Sequence, residues 1–326
     1  MTVRHAFWPV ALAALVALAT AAIALGAVPL AVGDVWGALF GRGDPLAVAI
    51  VRTLRLPRVT LAALVGAGLG MSGAALQGVL RNGLAEPYLL GVSGGAAVGA
   101  AVAVSLGVSS ALGVPLAAFA GAGLAVALVL LVARAARAHA DPRTLLVAGV
   151  VVGAFANAAI MVALANAPPN TVRNALWWMM GSAADADWSR VRWLALFVAA
   201  GGLGLLWAAR EIDALSLGED PAAGLGVDVD RAARRVYALA SLLAAATVAA
   251  AGLIGFVGLV VPHIVRAAGH RGHRALVGGS AITGAALVVA ADLAARALRP
   301  PAELPLGAVT ALVGVPFFLA QLRRGP

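Results

Sequence analysis

Between Pro87 and Ala133 the chain carries no charged residue, and further uncharged runs recur from Ala6 to the C-terminal region. Few folds tolerate such a pattern. A bilayer core of roughly 30 Å calls for about 20 apolar residues per helix, whereas a membrane β-strand needs only about 10. With 62% hydrophobic and 11% charged residues, the chain has too few polar side chains to cover a water-exposed surface. It reads as an all-α membrane protein, a single transmembrane domain over residues 1–326.

The runs divide into about ten spans. The first is Ala6 to Val28, longer than a usual signal core of about 7 to 15 residues and therefore read as a retained helix. The second is Val59 to Leu80. The stretch from Pro87 to Ala133 holds two helices, with VSSALGVP as the turn between them. A fifth, Thr144 to Asn166, stops at Pro168 and Pro169, which cannot donate to a helical ladder. ALWWMMGSAA, at Ala175 to Ala184, is too short to cross and reads as interfacial or re-entrant. Trp193 to Ala209 is the sixth span, and the polar stretch Glu211 to Arg235 follows it. The run from Val236 to Val265 is too long for one untilted crossing. Its GLIGFVG centre marks a break, giving a seventh helix that ends near Ala251 and a short eighth through Pro262 to Ala268. Ala275 to Ala295 and Leu304 to Leu322 complete the set. An even number puts both termini on one side, and the positive-inside tendency assigns that side to the cytoplasm. Arg52, Arg55, Arg58, Arg296 and Arg299 then stand as exceptions on the far side.

Several chemistries drop out. There is no cysteine, so disulfides and thiolate metal sites are excluded. There is no lysine either, so an ordinary P-loop, GxxxxGK[ST], cannot be built. The net charge of +9 comes from arginines scattered at the ends of apolar runs, which suits membrane anchoring rather than nucleic acid. Gly68, Gly70 and Gly73 fit GxGxxG but lie inside an apolar helix with no preceding strand, so they read as packing positions, as do Gly66, Gly149 and Gly153. His263, His270 and His273 lack a ligand spacing, and no metal site is expected. No histidine lies where it could ligate haem along a pathway. Asp292 is the one candidate intramembrane acid, with Arg296 one turn away as an ion-pair partner, which argues against an ion-coupled secondary transporter. A membrane-embedded enzyme would need a cluster of histidines or acids, and no catalytic residue is expected.

Three separated signatures remain. RLPRVTLAALVGAGLGMSGAALQGVLRNGLAEPYLLGVSGG at residues 55–95, SLGED followed by AAGLGV between Ser216 and Val227, and IGFVGLVVPHIVR at Ile254 to Arg266 resemble, in order, those of the FecCD/BtuC family. These are permease subunits of ABC importers for iron siderophores, haem and vitamin B12. Gly83, where the family commonly has proline, is the one departure noted.

The resemblance implies a BtuC-like fold of the type II importers and a set of partners. These are a second copy of the chain, two ATP-binding cassette subunits that carry ATP and Mg, and a periplasmic or lipid-anchored substrate-binding protein, all in a bacterial inner membrane. No cofactor is expected on this chain itself. Arg55, Arg58 and Arg296 match the positions that receive glutamates of the binding protein, a task suited to the bidentate guanidinium. Leu217, Gly218, Glu219, Ala223, Gly224, Leu225 and Gly226 match the cytoplasmic coupling loop, spanning about residues 211–230. Thr144, in the loop that begins at Asp141, falls at the cytoplasmic gate, and Asn157 on the fifth span faces the passage. Gln77, Ser93, Asn166 and Asn174 are the other mild polar groups available to a pathway.

Overall fold

A computed structural model describes residues 2–26, 28–108, 110, 112–135, 142–299 and 301–323. Among these every regular element is helical. The chain runs through α1 (Thr2–Ala24), α2 (Val32–Leu39), α3 (Pro45–Ala49), a π-helical turn (Ile50–Arg55) and α4 (Leu56–Val79). A 3-10 turn (Pro87–Leu90) leads into α5 (Val92–Ser105), followed by α6 (Gly113–Ala135), α7 (Pro142–Leu164), α8 (Pro169–Met179) and α9 (Trp188–Trp207). Two short helices, α10 (Ala209–Ser216) and α11 (Glu219–Gly224), precede α12 (Val229–Ala251), α13 (Val257–Ala267), α14 (His273–Ala297) and α15 (Leu306–Arg323).

Seven of the described helical segments are long and apolar enough to cross a membrane: Ala6–Ala24, Pro45–Val79, Gly113–Ala133, Thr144–Leu164, Trp188–Trp207, Val229–Ala251 and His273–Ala297. Three shorter apolar helices, Val92–Ser105, Val257–Ala267 and Leu306–Ala320, bring the architecture to the ten expected. The long run does break as the sequence indicates: α12 stops at Ala251, Gly252 takes φ +73°, and α13 starts after Phe256. The second span differs from expectation. It begins at Pro45 rather than Val59, because α3 and α4 are joined through the π-helical turn. Pro57 has no N–H to give, and just before it the Leu56 N–H reaches back to the Val51 carbonyl, one residue further than an α-helix allows. The arginines that read as a loop are thereby built into a helix.

α4 and α14 form the core pair, and the small residues predicted to pack do so. A Cβ added to Gly66 would lie 2.0 Å from the Gly284 carbonyl oxygen, and one on Gly284 would lie 2.2 Å from that of Gly66. Gly70 sits equally hard against Ser280, and Gly73 against Gly258 of α13. Without side chains in between, the backbones meet directly, which maximises dispersion contact where lipid offers no hydrophobic driving force. Gly149 is likewise closed in by the Leu89 carbonyl; at Gly153 a Cβ built on Gly94 of α5 would lie 3.5 Å from the Gly153 Cα, while a Cβ on Gly153 itself would meet nothing within 4 Å.

The two signatures flanking this pair also touch each other. The Glu86 carboxylate accepts a hydrogen bond from the Phe256 N–H (2.6 Å) at the start of α13, where Phe256 holds φ +67°. The Tyr88 hydroxyl both donates to the Ile254 carbonyl and accepts from its N–H. The bend between α12 and α13 is therefore fixed by two side chains of the RNGLAEP region. Gln77 belongs to the same set of ties. It is buried, donates to the Gly258 carbonyl (3.1 Å) and accepts from Arg266 (2.6 Å), so it is committed to the fold rather than free to line a pathway.

Candidate functional site

α4 and α14 run antiparallel, so each end of the pair gathers the beginning of one helix and the end of the other. At one end lie Arg55, Arg58 and Arg296; at the other lie Gly78, His273 and the acidic loop.

The three arginines do converge, and each has partners within the chain. Arg55 is 9% exposed and donates to the carbonyl oxygens of Ile23 (2.6 Å), Ala24 (3.1 Å) and Val28. Arg296 donates to the carbonyls of Ala22 (3.0 Å) and Leu25 (3.2 Å), and pairs with Asp292 (3.1 Å) as its spacing suggested. Together the two guanidiniums cap the C-terminal end of α1, satisfying carbonyls that have no intrahelical donor and complementing the negative end of the helix dipole. Arg58 stands between two carboxylates. Its Nε and Nη2 reach Asp292 (3.0 and 2.9 Å), and its Nη1 and Nη2 reach Glu303 (2.8 and 2.7 Å). Asp292 is 2% exposed and Glu303 40%, so one acid is part of the interior and the other faces outward. The Arg58 hydrogen bonds, followed by the charge of the same guanidinium, hold the Glu303 carboxyl below the usual glutamate range.

Sequence reasoning paired Asp292 with Arg296 but missed Glu303. Glu303 lies in the AELP sequence at Ala302 to Pro305, just before the last span. Arg58 and Glu303 are too far apart in the chain for any local periodicity to connect them.

At the opposite end the loop forms two short helices. α10 buries Ile212 and Leu215, and α11 buries Ala222, which leaves Leu217 (66% exposed) and Leu225 (67%) pointing away from the bundle with Ala223. Gly218 at φ +124° and Gly226 at φ +81° take backbone conformations closed to most side chains, and they set the turns on either side of α11. Gly224 keeps an ordinary φ and a Cβ built on it would meet nothing within 4 Å, so nothing in the packing requires glycine there. Glu219 opens the first turn of α11 and pairs loosely with Arg81 (3.5 Å). Two further ties hold the element. Glu211 pairs with Arg235 (2.9 Å), whose guanidinium also stacks over Trp207, and Asp213 accepts from the His273 N–H (2.8 Å) while lying 2.6 Å from its Nδ1. His273 starts α14, so the short helices are fastened to the core pair.

Asn157 is exposed on α7, beside an apolar face formed by Val147, Val150, Val151, Phe155 and Met161. Thr144 is half-buried and lines a cavity of about 310 Å³ between α6 and α7, together with Val132 and Ala148. Asp141 lies outside the described residues. A larger open groove, about 540 Å³, runs between the end of α7 and α8 and includes Arg173, Trp177 and Met180. Among the described residues no group of three or more histidines or acids could hold a metal ion.

The family model for the FecCD transport family matches residues 14–324. The cobalamin import system permease protein BtuC of Halobacterium salinarum is 46% identical over 277 residues, covering 85% of this chain and 74% of that protein. The iron(3+)-hydroxamate import system permease protein FhuB of Bacillus subtilis is 39% identical over 310 residues, covering 93% and 79%. Among solved structures, a metal-chelate type ABC transporter in an inward-facing conformation superposes with a TM-score of 0.87 at 29% identity, covering 96% and 97% of the two chains. The ten-helix architecture and these similarities lead to one conclusion: the chain is a multi-pass ABC transporter permease, and it belongs to the FecCD transport family.

Proposed function

We propose that this chain is the permease subunit of a binding-protein-dependent importer, that two copies enclose a central passage, and that the cargo is a bulky metal chelate. The observation that carries the reading is the placement of two differently built surfaces at opposite ends of one rigid helix pair. At the outer end Arg58, supported by the buried Arg55 and by Arg296, stands for a carboxylate-bearing binding protein, and exposed Leu217, Ala223 and Leu225 stand at the cytoplasmic end for a groove on an ATPase. The subunit makes and breaks no bond. ATP hydrolysed with Mg on the partner ATPases shifts the dimer between states open to opposite sides, with Thr144 near the inner gate and Asn157 along the passage.

The chain is taken as one membrane domain in the bacterial inner membrane, both termini cytoplasmic, with no cofactor of its own. The names of its relatives favour cobalamin and ferric siderophores as cargo, with haem as the third chelate to test. The test is uptake into vesicles holding the permease and its ATPase, with the binding protein and ATP, comparing the three chelates. Uptake of one of them, abolished by replacing Arg58 with glutamate, is the expected result; Arg55, whose guanidinium is buried against α1, is left intact because its replacement would disturb the fold. Normal uptake by that variant would refute the docking assignment, and ATP-independent uptake would refute the importer reading.

A further inference from the structure

The outer arginine cluster contains more acid than a bare receptor for carboxylates would need. Arg58 uses its Nε and both terminal nitrogens on Asp292 and Glu303, and Glu303 takes it in the two-point geometry that a partner's glutamate would adopt. No fork is left for an incoming carboxylate while Glu303 is in place.

The two acids differ in what they can do. Asp292 lies on α14, 2% exposed, and is shared with Arg296, so it fixes the position of the Arg58 guanidinium. Glu303 is 40% exposed and sits in the non-helical segment before α15. Its backbone neighbours are pinned: the Leu304 N–H donates to the Ala295 carbonyl (3.0 Å), the Leu306 N–H to Gly181 (3.1 Å) and the Gly307 N–H to Met180 (3.0 Å). Only rotation of the Glu303 side chain is then required to open Arg58, and the segment itself stays put.

We propose that Glu303 is a resident stand-in for the binding protein's carboxylate: it occupies Arg58 in the undocked permease and is exchanged for the partner's acid on docking. This inference rests on the docking reading above. The exchange swaps one ion pair for another, so docking is weakened by the strength of the internal pair and the complex dissociates readily after delivery. It also keeps the Arg58 Nη1, which Asp292 does not reach, hydrogen-bonded between cycles.

The experiment is a double-mutant cycle on the full-length permease with its ATPase in lipid nanodiscs, titrated with its cognate substrate-binding protein. Arg58→Ala is expected to weaken binding at least tenfold. Glu303→Gln is expected to tighten it about three- to fivefold, the strength of a partly exposed ion pair, and Glu303→Asp to return it towards wild type. In the Arg58→Ala background, Glu303→Gln is expected to have no effect. Unchanged or weakened binding by Glu303→Gln would overturn the stand-in role, as would an equal gain in the Arg58→Ala background, which would reveal plain repulsion between acids. Wild-type affinity in Arg58→Ala would instead overturn the docking reading beneath it.

Discussion

A methyl group added at Gly66 tests whether α4 and α14 are held by backbone contact. In Gly66→Ala the new Cβ would stand 2.0 Å from the Gly284 carbonyl oxygen and 2.5 Å from its carbon, whereas real Cβ contacts essentially never fall under 3.0 Å. The helices must part locally by about 1 Å, and no rotamer can relieve a clash of backbone with backbone. Alanine favours the helix by about 1 kcal/mol over glycine, while overpacking costs about 1–3 kcal/mol and occasionally more. With both sides of the contact rigid, the upper end applies and the net loss is about 2 kcal/mol. Gly153→Ala is the matched control, since a Cβ built there meets nothing within 4 Å and only the propensity gain remains. Unfolding of the purified protein in mixed micelles, titrated with SDS and followed by tryptophan fluorescence, compares the two. If Gly66→Ala proves as stable as Gly153→Ala, the helices are not locked as described and the reasoning fails.

Two further expectations concern the ends of this pair. Asp213→Asn removes the charge that ties α10 to the start of α14, and is expected to lower uptake per ATP hydrolysed at least twofold while ATP hydrolysis continues; unchanged coupling measured in vesicles would count against a role for this joint. The Arg58–Glu303 pair has a definite pH sign. Because the folded state depresses the Glu303 carboxyl, the pair is fully formed above the ordinary glutamate range and is lost as pH falls through the lowered value. Carbon-13 NMR of labelled glutamate is expected to show Glu303 titrating below its free value in the wild type and at that value in Arg58→Ala, and an ordinary titration in the wild type would refute the pairing.

What could be read from the sequence follows the range of the physics involved. Apolar length is a local property, so the spans and the break at GLIGFVG were legible, as was Asp292 with Arg296 one helical turn on. The glycines of α4 were legible as packing positions because small residues recur every four places in an apolar run. The path from Pro45 to Arg55 was not, since charges before a proline look like a loop until a π-helical turn absorbs them. Gln77 looked like a pathway group because its partners, Gly258 and Arg266, come from the far half of the chain. The same distance hid the hold of Glu86 on Phe256 and of Glu303 on Arg58. Polar contacts between remote helices leave no periodicity, and only the folded arrangement reveals which acid meets which base.

The arginine cap on α1 also has a bearing on the order of assembly. Ala22 and Leu25 receive their donors from Arg296, and Ile23, Ala24 and Val28 from Arg55. During synthesis the carbonyls served by Arg55 can be met soon after α1 is made, whereas those of Ala22 and Leu25 stay turned to water or headgroups until Arg296, near the end of α14, has left the ribosome. The final seating of α1 is among the last events of maturation, and a chain truncated before Arg296 would leave its earliest-made helix unfinished.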